Sequence, residues 1–207
     1  MDELQTSWSL SVEATNIHDL QQATLKRLLG RAWVSEDPEL FREAPAQLHL
    51  LHTAESAHAW RHDASALAAV MDPAIDTSDL AERMRLHYND RFKGEALDAT
   101  ATLLQANPNS RRALLTCWHP GDSERPDGAA CVVYVYFRRR AKHLQVHAHM
   151  RACDAYKKLP ANLLILAEAA TSVAGRLSVP VGGITLMIDS LHVYKADRPQ
   201  AMHLAGL

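Results

Sequence analysis

Cys131, Arg151, Asp154 and Asn162 are residue types that together suit a phosphorylated, ring-bearing ligand. A thiolate attacks electrophilic carbon. A guanidinium matches a phosphate with paired N–H donors, and a carboxylate and an amide supply the acceptors and donors that read a base edge. Cys131 follows two alanines and leads into Val-Val-Tyr-Val-Tyr-Phe, Arg-Ala-Cys-Asp occupies 151–154, and Pro-Ala-Asn occupies 160–162. That is the composition of a nucleotide-handling site. Taken singly, each group has a plainer reading: Cys131 as an inert buried thiol, Arg111-Arg112 as a solvated face, and Trp118-His119-Pro120 and His192-Val193-Tyr194 as packing aromatics.

The elements that must position these groups change character along the chain. Val12 to Thr15 predicts a short strand. Asn16 and Asp19 predict a capped helix with an apolar stripe of Ile17, Leu20, Thr24, Leu25, Leu28 and Leu29, stopped at Gly30. Ala46 to His52 predicts a strand, 53–62 a loop, Ser65 to Met71 a short helix, and Thr77-Ser78 the cap of a helix to about His87. Glu95 to Gln105 reads as a further helix before the turn Asn107-Pro108-Asn109.

Beyond this turn the chain becomes strand-rich. Arg112 to Trp118 and Cys131 to Phe137 predict buried strands separated by a loop over 119–129. In His143 to Arg151, Leu144, Val146, Ala148 and Met150 alternate with His143, Gln145, His147, His149 and Arg151. Pro160 opens an apolar helix from Ala161 to Gly175, and Gly183 to Asp189 predicts a last strand. The fold class is α+β, a single mixed or antiparallel sheet with one buried helix and flanking helices, and 1–207 is expected to form one domain.

With 22 basic and 24 acidic side chains, no overall field draws the chain to nucleic acid or an anionic membrane, so phosphate binding must be local. The acidic start Met-Asp-Glu-Leu lacks a signal-peptide pattern, and the apolar run Leu163 to Ala174 carries Glu168 and is too short to span a bilayer, so a soluble, cytoplasmic protein is expected. Cys117, Cys131 and Cys153 fit reduced thiols rather than a disulfide frame. The histidines on one face of 143–151 invite a metal, but no carboxylate or cysteine completes a ligand set; a polar sheet face or a subunit contact is preferred and no metal site is assigned.

Five blocks in order carry a resemblance: Asn107-Pro-Asn-Ser-Arg-Arg-Ala-Leu-Leu-Thr-Cys-Trp-His-Pro-Gly-Asp122, Cys131, Arg-Ala-Cys-Asp (151–154), Pro-Ala-Asn (160–162) and His-Val-Tyr (192–194). Together with Leu86-His-Tyr-Asn-Asp-Arg91, they make the chain resemble the thymidylate synthase family, in particular its short archaeal-type members. The cover is 85–197; residues 10–52 fit loosely. The resemblance implies that Cys131 adds to C6 of a pyrimidine nucleoside monophosphate and that C5 receives a one-carbon unit from 5,10-methylene-tetrahydrofolate. It implies Arg151 on the phosphate, Arg111 and Arg112 reaching the partner's phosphate across a homodimer, Asp154 and Asn162 orienting the base, His192 and Tyr194 on the ribose hydroxyl, and Tyr88 assisting proton removal from C5.

The chain departs from the family pattern at several positions. Val132 follows the cysteine where His or Leu is usual, Tyr136 stands for a Gln, Ala152 for a phosphate-holding Ser, Ala130 for a Pro, and Lys157-Lys158 for small or apolar residues. Ala66-Leu-Ala-Ala-Val offers no counterpart of the long-form catalytic glutamate, and only Lys195 to Leu207 follow His-Val-Tyr, where long members have a folate-closing segment. Two products stay open, methyl or hydroxymethyl. So do two other classes: a nucleotide-binding homolog without chemistry, acting as sensor or partner subunit, and the same fold turned to another anion.

Overall fold

The computed structural model describes residues 9–30, 35–51, 71–73, 75, 76, 80, 88, 91, 92, 94–124 and 130–207. The expected loop over 53–62 and helices over 65–71 and 77–87 lie outside these residues, save for Met71 and Leu80, as does the segment 66–70. The described elements run β1 (Leu10–Ala14), α1 (Ile17–Leu29), β2 (Leu40–Leu51), α2 (Gly94–Ala106), β3 (Leu114–Thr116), β4 (Val132–Arg140), β5 (His143–Asp154), α3 (Leu159–Leu177), β6 (Val181–Tyr194) and α4 (Arg198–Leu204).

The strands form one six-stranded sheet in the order β1-β2-β6-β5-β4-β3. It is mixed: β1 with β2 and β5 with β6 are parallel, and the remaining pairs antiparallel. The α+β expectation and its single sheet therefore hold, with the mixed option realised. α3 is the buried helix, packed against β5, β6, α1 and α2. Nearly every side chain from Leu159 to Ala170 is buried, and each fully buried Leu or Ile contributes about 1.5–3 kcal/mol of transfer free energy.

α1 begins as expected, with the Asn16 side chain accepting from the Asp19 N–H at 2.9 Å. It ends at Gly30 in an ordinary right-handed conformation with φ −74°, so this stop does not use glycine's left-handed freedom. The largest revision concerns β6. It runs through His192-Val193-Tyr194 instead of ending at Asp189. Ile184, Leu186 and Ile188 are buried, and then Leu191 and Val193 are. The β2–β6 register explains the switch: β2 advances two residues from Ala44 to Ala46 while β6 covers three, from Leu191 to Ile188. One extra residue turns the following side chains to the opposite face, which puts Ser190, His192 and Tyr194 on the face away from Leu191 and Val193.

A second irregularity lies between Val132 and Tyr134, at the start of β4. Both sit at the end of the sheet where Cys131 is found. In contrast, β5 alternates as the sequence predicts, its histidine face turned away from the core. There His149 Nε2 lies 3.0 Å from the Asp189 carboxylate, Tyr134 meets His149 edge-on at 5.5 Å, and Met187 is 52 % exposed.

Candidate functional site

Cys131 lies at the bend leading into β4, one residue short of the expected strand position, and is half-buried. Its carbonyl accepts from the Arg151 N–H at 3.0 Å, which ties the bend to β5. The backbone N–H groups of Cys131 and Val132 both donate to the Tyr88 hydroxyl, at 3.2 and 3.3 Å. With both acceptor positions filled, the hydroxyl directs its proton to Asn162 Oδ1 at 3.3 Å. One buried oxygen thus joins the bend that carries the thiol to the amide at the start of α3. Burial, the largest cause, and the proximity of Cys131 hold Tyr88 in its neutral form.

Asn162 is buried and directs its Nδ2 toward the Cys153 sulfur at 3.5 Å. Asp154, also buried, ends β5. Its Oδ1 accepts from the N–H groups of Tyr156 and Lys157 at 2.9 and 3.0 Å, which shapes the turn into α3. Among the described residues, Oδ2 has no hydrogen-bond partner, so an acceptor is left for a ligand. Burial raises the Asp154 carboxyl above its ordinary range; the two turn amides pull it down, as does nearby His192. Burial likewise raises the Cys131 thiol, Lys158 and Arg151 pull it down, and Asp154 pushes it up again.

Arg151 is exposed at its tip, with Nε 3.3 Å from the Ala130 carbonyl and its guanidinium 5.4 Å from the centre of the Trp118 ring. His192 is buried beside Tyr194, whose ring meets it edge-on at 5.1 Å. The register brings His192 opposite Asp154 of β5 on one side and Glu43 of β2 on the other. The assembly therefore combines a thiol, an exposed cation, a buried acid, a fixed amide and a paired His and Tyr.

A family model, "Thymidylate synthase", matches residues 8–205. The chain belongs to the thymidylate synthase family. A protein named "Putative thymidylate synthase" from Methanothermobacter thermautotrophicus is 32 % identical over 119 residues, 58 % of this chain and 52 % of its own length. Thymidylate synthases of Buchnera aphidicola subsp. Baizongia pistaciae and Haloferax volcanii are 27 % and 30 % identical, over 52 % and 51 % of this chain and 40 % and 31 % of their own lengths. The chain spans about half the length of the curated relatives it matches, or less.

Not every thymidylate-synthase block converges within one copy. Arg111 and Arg112 are exposed on the approach to β3. The Ala113 carbonyl accepts from the Phe137 N–H at 2.8 Å, so Arg111 and Arg112 lie just beyond the end of the β3–β4 ladder that is remote from Cys131. At the rise of an extended strand, the offset from 138 to 131 is roughly 20 Å.

Several supporting residues escaped the sequence reading. Gln21, fully buried in α1, donates to the Ala155 and Tyr156 carbonyls at 3.2 and 2.7 Å and braces the turn after Asp154. A polar residue within an otherwise apolar stripe was the available signal. Arg91 forms a buried two-bond ion pair with Asp122, at 2.7 and 2.9 Å, and also donates to the Cys117 carbonyl. Asp122 in turn accepts from the His119 N–H at 2.8 Å. Both partners lie within family-like blocks, but their pairing across the fold has no signature in spacing. The pair fixes the segment that carries Trp118, and hence the wall behind Arg151. The Cys117 thiol there is pushed up to about 12 by burial, so it is a packing group.

Among the described residues, no helix is long and apolar enough to cross a membrane.

Proposed function

We propose that this chain transfers a one-carbon unit from 5,10-methylene-tetrahydrofolate to C5 of a pyrimidine nucleoside monophosphate, working as one domain in a homodimer. The observation that carries this reading is the Tyr88 hydroxyl, which ties the backbone of Cys131 to Asn162. A nucleophile and a base-reading amide held by one buried oxygen are fixed relative to each other before any ligand arrives, the condition under which proximity lowers a barrier.

In this reading Arg151 binds the phosphate, His192 and Tyr194 hold the sugar hydroxyl, and Asn162 and Asp154 orient the ring. The Cys131 sulfur adds to C6, the C5–C6 double bond opens, and C5 gains carbanion character with charge delocalised onto the carbonyl oxygen. The donor set fits the folate in part: the second Asp154 oxygen is an acceptor that no described group fills, of the kind a heterocyclic N–H requires. When bound, the folate supplies the one-carbon unit. After the new C5–carbon bond has formed, loss of the C5 proton would break the carbon–nitrogen bond to tetrahydrofolate and leave a methylene on C5; hydride from the reduced folate, or water, adding to that carbon would give methyl or hydroxymethyl and expel the Cys131 sulfur, which restores the ring double bond. Tyr88, whose hydroxyl is taken up by the Cys131 and Val132 N–H groups and by Asn162, contributes to this step by holding the thiol and the amide in place.

Arg111 and Arg112, roughly 20 Å from their own Cys131 at the strand rise, complete the phosphate pocket of a second copy. The exposed histidine and Met187 face of the sheet is the contact that brings the copies together.

Tritium release from C5-labelled dUMP, UMP, dCMP and CMP in the presence of methylene-tetrahydrofolate tests the reaction, and the product mass distinguishes methyl from hydroxymethyl. Release from one of the four, lost in Cys131→Ser, is expected. No release from any, combined with saturable nucleotide binding that survives Cys131→Ser and is lost in Arg151→Ala, would instead establish a binding homolog. The lack of a carboxylate in Ala66-Leu-Ala-Ala-Val, where long members carry a catalytic glutamate, gives that alternative its specific support.

A further inference from the structure

His192 does not stand alone on β6. Glu43 of β2, directly opposite it in register, accepts from the Ser190 hydroxyl through Oε1 at 2.5 Å and from the Ser35 hydroxyl through Oε2 at 2.8 Å. Both carboxylate oxygens are engaged, so the acid is fixed. Ser190 Oγ lies 3.3 Å from His192 Nδ1, and the Ser190 carbonyl lies 3.1 Å from the same nitrogen.

The proton assignment follows from what each group has to give. A serine hydroxyl carries one proton. Glu43 takes it, so toward His192 the hydroxyl oxygen can only accept. The Ser190 carbonyl can only accept as well. Nδ1 must therefore carry a proton, and in the Nδ1–H tautomer the Nε2 lone pair is the acceptor. An acceptor in this position selects a ligand group that donates, and a sugar hydroxyl does so.

We infer that Glu43 is a positioning residue: through Ser190 it holds His192 in the Nδ1–H form, with Nε2 presented to a hydroxyl of the bound nucleotide's sugar. The ligand half of this inference rests on the nucleotide reading above. The orienting half concerns the protein alone. The logic is that of a carboxylate setting the tautomer of a functional histidine, here acting through an intervening hydroxyl.

The test has two arms. Long-range nitrogen–proton NMR of the ligand-free protein reports the His192 tautomer in wild type, Glu43→Gln, Ser190→Ala and Ser190→Thr. Calorimetry then compares dUMP with 2′,3′-dideoxy-UMP, which lacks the donating hydroxyl. The wild type and Ser190→Thr are expected to show Nδ1–H and a clear preference for dUMP. In Glu43→Gln the amide can donate to the Ser190 hydroxyl and free its proton for Nδ1, so the tautomers mix and the preference falls about tenfold, the loss expected for one buried hydrogen bond, while dideoxy-UMP binds as in wild type; Ser190→Ala keeps the carbonyl acceptor and so keeps Nδ1–H. An unchanged tautomer in Glu43→Gln overturns the positioning role. Equal weakening of both nucleotides reduces Glu43 to a structural residue and overturns it too. Wild type that binds neither nucleotide, with the NMR signature intact, overturns the nucleotide reading and leaves the orienting role standing.

Discussion

Opposing pulls act on the Cys131 thiol. Burial and Asp154 favour the protonated form, whereas Lys158 and Arg151 favour the thiolate. Alkylation of Cys131 should therefore rise with pH above the ordinary thiol range. In Lys158→Met the rate at neutral pH should fall by about two- to fivefold, the effect of losing one solvent-screened charge. Peptide mass spectrometry after timed iodoacetamide treatment checks this, with fully buried Cys117 and Cys153 as silent controls. Tyr88→Phe makes a different prediction. The ring keeps its packing beside Phe92 at 5.7 Å, but two backbone N–H groups lose their acceptor, at a cost of about 1–3 kcal/mol in a urea melt. At this scale the sequence offered residue types able to attack, to hold phosphate and to read a base, with Tyr88 among the candidates. The bonds of the Tyr88 hydroxyl to the Cys131 bend and to Asn162 were not legible, because Tyr88 lies 43 residues before Cys131 and only the fold brings them together.

Elements were legible where periodicity was strong. The alternation of 143–151 and the capped start of α1 are found as expected, because one buried face imposes its period on the sequence. Ends were less so. β3 keeps only Leu114–Thr116 of the expected 112–118, and the extension of β6 through Tyr194 depends on a bulge that breaks the period. α4 is too short, at seven residues with only Ala201 buried, to leave a periodic signal. The Arg91–Asp122 pair carries the prediction at this scale. Arg91 holds the Asp122 carboxyl well below the ordinary carboxylate range. Breaking this buried pair by Arg91→Ala should cost about 3–5 kcal/mol in a urea melt at pH 7. Because the folded pKa is depressed, the pair's contribution is fully present above the unfolded value of about 3.9 and is lost as pH falls through the folded one. The stability gap between wild type and Asp122→Asn should accordingly narrow as pH drops below about 4.

At the scale of the whole molecule, the candidate residues fall into two groups. Seven of them gather at one end of the sheet, and Arg111 and Arg112 stand at the other end of the β3–β4 ladder. If two copies share their sites, Cys131→Ser and Arg112→Ala, each inactive alone, should complement on mixing. Random exchange leaves one intact site in half of the dimers, so activity should recover to about a quarter of wild type. Recovery that stays at background after subunit exchange, verified by native mass spectrometry, would contradict a shared site. The most direct test of the central claim is the intact mass of the protein after incubation with 5-fluoro-dUMP and methylene-tetrahydrofolate. A covalent adduct that maps to Cys131 and is absent in Cys131→Ser is predicted; an unmodified mass, or an adduct that persists in the serine variant, would contradict the account.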